Sequence, residues 1–131
     1  MTGLCLAVGA LTAKLAISSF TLAWTHSIEK QAWQEDYRVT AAGLVLDEAR
    51  IKGSGAGMEP PQGAVLRGGW WHYRPDLPPL PRLILARSHA VADWRLCVAE
   101  SCRPLGAYLP DADGEADAET PATLYPCAGA K

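Results

Sequence analysis

The sequence predicts an all-β domain, a small antiparallel β-sandwich or open barrel built from consecutive hairpins. Three observations carry that reading. Apolar residues recur at every second position through several successive runs, the period of a strand with one buried face. Twelve glycines and ten prolines among 131 residues interrupt the chain too often for long helices. The gaps between the first alternating runs are short enough for hairpin connections. With 49% hydrophobic and 20% charged residues, one modest core over residues 1–109 is expected. Collagen-like, coiled-coil and wholly disordered chains are excluded. Twelve basic against fourteen acidic residues, with no basic stripe, leave no footprint for nucleic acid.

In chain order, Leu4 to Val8 and Leu11 to Ile17 read as a hairpin about Gly9-Ala10. A secretory leader or an anchor is the competing reading. No Lys or Arg precedes Lys14, however, and Thr12, Lys14, Ser18 and Ser19 break the apolar run. No membrane span is expected, and the location is read as cytoplasmic, with periplasmic or membrane-associated as the alternative. Phe20 to Ile28 alternates, with Phe20, Leu22, Trp24, His26 and Ile28 on one face. Trp33, Glu35, Tyr37 and Val39 share a face of the next run, and Leu44, Leu46, Glu48 and Arg50 of the third. Shorter strands are expected at Ala64 to Leu66, Trp70 to Tyr73, Leu83 to Ala86, Trp94 to Val98 and Arg103 to Leu109. Residues 110–131 carry five acids with Ala, Thr and Pro between them, which reads as a disordered tail. Without it the chain has nine acids and eleven bases.

A four-residue loop at Glu29 to Ala32 would pair Ile28 with Trp33, His26 with Glu35, Trp24 with Tyr37 and Leu22 with Val39. A two-residue turn at Ala41-Ala42 would then pair Val39 with Leu44, Tyr37 with Leu46, Glu35 with Glu48 and Trp33 with Arg50. His26, Glu35 and Glu48 would form a row across three strands, with Arg50 one step along. Carboxylates on an apolar face need partners, and His26 and Arg50 are on offer. The row is therefore a candidate binding site, or a metal or proton-shuttling site, and equally a polar network that holds strand register. Gly53 to Gly57, with Gly55 and Gly57, reads as a tight turn that lets backbone pass close to a ligand or a neighbouring strand. Trp70 adds an aromatic surface for ligand binding or packing. Cys97 and Cys102 would face each other across a turn at Ala99-Glu100, an arrangement that suits a cross-strand disulfide, half of a metal site, or two plain thiols.

The run Phe20 to Lys30, then Trp33 and Glu35, Glu48-Ala49-Arg50, Gly53 to Glu59 and Gly69-Trp70-Trp71 resembles the bacterial family catalogued as domain of unknown function 1850. The likeness extends from about Leu4 to Leu109. Members are often encoded beside tripartite ATP-independent periplasmic transporters of the TAXI type. The resemblance thus implies an accessory or ligand-binding role in solute uptake, with transporter components or a small anionic solute as partners. The alternative is a small enzyme or metal-dependent site that uses His26, Glu35, Glu48 and Arg50. The sequence contains neither G-x-S-x-G nor H-E-x-x-H, so the non-enzymatic reading is preferred, and no cofactor is expected.

Overall fold

A computed structural model of the chain describes residues 2–25, 32–52, 62–88, 92–110 and 119–128. Eleven strands appear among them: β1 (Thr2–Val8), β2 (Leu11–Leu15), β3 (Ser19–Thr25), β4 (Ala32–Thr40), β5 (Gly43–Lys52), β6 (Val65–Arg67), β7 (Trp70–Tyr73), β8 (Leu83–Leu85), β9 (Arg95–Val98), β10 (Ser101–Pro104) and β11 (Ala122–Ala128). They form two antiparallel sheets, one in the order β2-β1-β11-β8 and one in the order β10-β9-β3-β4-β5-β7-β6. The sheets remain open and do not close into a barrel. No helix among the described residues is long and apolar enough to cross a membrane.

Alternation builds the interior. Leu4, Leu6, Val8, Leu85, Ala122 and Leu124 from the smaller sheet meet Phe20, Leu22, Tyr37, Leu44, Leu46 and Leu96 from the larger one in a single buried cluster. The first hairpin turns at Gly9-Ala10 as expected, with Val8 opposite Leu11 and Leu4 opposite Leu15. Gly43, at the start of β5, has φ +143°, and a Cβ built on it would lie 2.6 Å from the Leu80 carbonyl oxygen. Only glycine lets β5 and the Leu80 segment approach closely enough for Leu44 and Leu80 to exchange hydrogen bonds of 2.7 and 2.8 Å.

Four features differ from the sequence-based expectation. The β3–β4 pair is slid by four residues: Trp24 faces Trp33, Leu22 faces Glu35 and Phe20 faces Tyr37. An even slide leaves every side chain on its own face, so alternation alone is blind to it. Aromatic contact distinguishes the registers, because Trp24 stacks on Trp33 with centroids 5.8 Å apart and Phe20 on Tyr37 at 5.3 Å. The second difference is a β-bulge: Asp36 faces Glu48 while the adjacent Tyr37 faces Leu46, leaving Asp47 as an extra residue in β5. Leu44 and Leu46 point inward before the bulge and Ala49 and Ile51 after it.

The third difference lies beyond β10, where Leu105–Tyr108 form a single turn of 3-10 helix in place of the expected strand. Leu105 is fully buried there, and the helical turn lets it reach the core immediately after the exposed edge strand. Fourth, the segment read as a disordered tail contributes β11, which sits between β1 and β8. Its acids are confined to residues 111–119. The following Ala122 and Leu124 are fully buried, and Cys127 is joined to Cys5 of β1.

Candidate functional site

The outer face of the seven-stranded sheet carries a row of polar side chains that the register specifies. Cys102 lies opposite Cys97, Cys97 opposite Thr21, Thr21 opposite Asp36 and Asp36 opposite Glu48. One step along, Gln34 faces Arg50 and Arg50 faces His72. The bulge is what brings Glu48 and Arg50 to this face beside Asp36. In unbroken alternation, with Asp47 as an ordinary strand residue, they would point into the core in phase with Leu44 and Leu46.

Arg50 ties the row together. Its Nη1 and Nη2 donate to the two carboxylate oxygens of Asp36 at 2.6 and 2.8 Å, Nη1 also donates to Glu48 Oε2 at 2.7 Å, and Nε donates to Gln34 Oε1 at 3.0 Å. The Thr21 hydroxyl donates to Asp36 Oδ1 at 2.6 Å. His72 Nδ1 lies 3.4 Å from Glu48 Oε2. The planar guanidinium suits this forked arrangement, which an ammonium could not reproduce. Burial alone would raise the pKa of Asp36, but hydrogen bonds from Arg50 and Thr21 outweigh it and hold the carboxyl below its ordinary range. Glu48 behaves alike: burial opposes ionisation, and Arg50 and His72 overcome it. The Arg50 guanidinium is held more firmly protonated, chiefly by Asp36 and against the effect of burial.

Glu35 is not part of this row. It sits on the inner face between Leu22 and Ala49, and its Oε1 accepts a 2.8 Å hydrogen bond from the Tyr37 hydroxyl. Burial raises its pKa and the Tyr37 hydrogen bond offsets this only in part. A carboxyl whose pKa is raised by folding stabilises the fold below its unfolded pKa and loses that stability as pH rises through the folded value. Glu35→Gln is therefore expected to stabilise the protein at pH 7 by on the order of 1 kcal/mol, with the difference fading as both proteins are acidified toward pH 4. Thermal unfolding followed by circular dichroism at the two pH values measures it. An equal or lower midpoint for the variant at pH 7 would contradict the assignment.

The expected constellation is thus divided. Glu48 and Arg50 meet, with Asp36 in the place assigned to Glu35. His26, Gly55 and Gly57 lie outside the described residues, and the expected pairing of His26 with Glu35 is replaced by that of Leu22 with Glu35. Trp70 faces Lys52 and Arg67 across its neighbouring strands, and its ring lies 5.3 Å from Lys52 Nζ, two register positions beyond the Arg50–His72 pair. Cys97 and Cys102 are joined by a disulfide. Thr21, Gln34, Asp36 and His72 belong to the site and were missed. The adjacent Asp47-Glu48, set between the apolar pairs Leu44/Leu46 and Ala49/Ile51, is the sequence signal that would have exposed the bulge.

Two open concavities flank the network. One, of about 620 Å³, is lined by Glu48, Arg67, His72, Arg74 and Asp76 among others. The other, of about 500 Å³, lies on the opposite side of Arg50, with Thr21, Asp36, Cys97, Glu100 and Cys102 on its walls. Among the described residues, no group of three or more His, Cys, Asp or Glu side chains is placed to hold a metal ion.

Neither the curated proteins nor the solved structures yield a match to this chain. A family model for a domain of unknown function, DUF1850, matches residues 20–105, which takes in nearly all of the seven-stranded sheet and every residue of the Arg50 network. The chain belongs to the DUF1850 family.

Proposed function

We propose that this protein is a non-catalytic accessory component of a TAXI-type solute transporter and that it binds a small carboxylate-bearing solute in the concavity beside Glu48. The observation that carries the reading is the pairing state of the side chains around that concavity. Glu48 is committed to Arg50 at 2.7 Å, whereas Arg67 approaches it only at 3.8 Å and remains 65% exposed. Arg67 and Arg74, on the walls of a pre-formed concavity, are then available to a carboxylate, and a guanidinium is suited to grip one bidentately. All four cysteines are in disulfides, a state that persists in oxidising compartments. This favours the periplasmic alternative over the cytoplasm.

A thermal-shift screen of mono- and dicarboxylates, with co-purification from cells expressing TAXI-type transporter subunits, tests the proposal. A stabilising solute whose effect disappears in Arg67→Ala/Arg74→Ala and weakens with salt is the expected result. No shift with any carboxylate, together with no transporter subunit recovered, would overturn it.

A further inference from the structure

We infer that the Cys97–Cys102 disulfide is a thiol–disulfide exchange site for a protein dithiol and that its state sets the shape of the groove beside Asp36. The two disulfides of the chain differ in what they join. Cys5 and Cys127 link β1 and β11, both interior strands of their sheet, and Cys5 is 2% exposed. Cys97 and Cys102 link β9 to β10, the edge strand of the larger sheet, all four residues of which are exposed. Exchange requires a thiolate to approach one sulfur in line with the S–S bond, and the edge position of Cys102 leaves room for that approach.

The hairpin that this bond clamps is one the local sequence does not favour. Its two-residue turn holds Ala99 at φ 50° and Glu100 at φ 70°, a left-handed conformation that such turns normally give to glycine or asparagine. Once the cross-link opens, little in the turn holds β10 against β9. Cys97, Ala99, Glu100 and Cys102 all line the 500 Å³ groove together with Thr21, Asp36 and Arg50, and Cys97 is the direct cross-strand neighbour of Thr21. Loss of the clamp therefore moves one wall of the groove while the Arg50 network remains in place.

A thiolate of the dithiol attacks Cys102 Sγ, forming a mixed disulfide and expelling Cys97 as a thiolate that takes a proton from solvent. The second thiol of the partner loses its proton and attacks the mixed disulfide at the partner's own sulfur, releasing the Cys102 thiolate, which is protonated. The partner is oxidised by two electrons and this protein is reduced by two.

The test uses the oxidised full chain under native conditions. It is exposed to limiting dithiothreitol, quenched with iodoacetamide and analysed by peptide mass spectrometry. Cys97 and Cys102 are expected to be alkylated at least tenfold faster than Cys5 and Cys127; equal rates, or the reverse order, would overturn the assignment. A CxxC reductase whose second cysteine is replaced by serine is expected to be trapped on Cys102, and trapping on Cys5 or Cys127 instead would also refute it. After selective reduction, amide hydrogen exchange is expected to quicken over residues 95–104 while β1 and β11 keep their protection. Unchanged exchange over residues 95–104 would show that the bond does not shape the groove.

Discussion

Replacing Cys5 and Cys127 together by alanine is expected to lower the stability of the fold by about 3 kcal/mol, or about 10 °C in the thermal midpoint. The bond spans 122 positions of sequence, so it removes a large part of the freedom of the unfolded chain. It also fastens β11, the last strand, to β1, the first. Ala122 and Leu124 of β11 supply fully buried side chains to the core, and without the cross-link their docking depends on packing and backbone pairing alone. The matched replacement of Cys97 and Cys102, five positions apart, is expected to cost about half as much, because a short loop has little closure entropy to lose. Thermal and urea unfolding of the two double variants decide the point. A larger loss for the Cys97/Cys102 variant would show that the terminal strand is held by packing rather than by its bond.

Arg50→Met is expected to cost about 2 kcal/mol at pH 7, by removing the charge-assisted hydrogen bonds of Asp36 and Glu48 and leaving two like charges directly opposite each other. Arg50 itself is only 17% exposed, so methionine can fill much of its volume and the loss isolates the charge. The pH dependence separates this from a packing defect. In the parent protein both carboxyls are held below their ordinary range. Their contribution is therefore complete above the unfolded pKa of about 4 and is lost as pH falls through the lower folded values. Once Arg50 is gone, burial and mutual repulsion raise both pKa values, and the variant is expected to gain stability as pH falls from 7 toward 4. Midpoints measured at pH 7, 5 and 4 give the sign directly. A variant that loses stability in parallel with the parent over that range would refute the electrostatic account.

Much of the architecture is legible in local pattern. The hairpin at Gly9-Ala10, the alternation of Phe20, Leu22 and Trp24, the pairing of Val39 with Leu44 and of Tyr37 with Leu46, and the opposition of Cys97 and Cys102 follow from period-two alternation and turn length. The candidate site is legible only in part. Glu48 and Arg50 were recognisable as a charged pair, but their partner turned out to be Asp36 rather than Glu35, because one added residue at Asp47 reverses which face of β5 every later side chain occupies. His72 reaches Glu48 through a strand 24 residues away, a separation over which local pattern carries no information.

Local pattern specifies short antiparallel strands, which of their residues are apolar, and where several of the hairpins turn. These are properties of neighbouring residues and of backbone sterics. Long-range packing sets the rest: the even slide between β3 and β4, which alternation cannot detect, is distinguished by Trp24 stacking on Trp33. The place of residues 122–128 was decided by the unfilled gap between β1 and β8, where Ala122 and Leu124 bury completely. The Arg50 network depends on both kinds of choice, because a half-buried carboxylate is tolerated only where packing brings a cation and hydrogen-bond donors within about 3 Å of it.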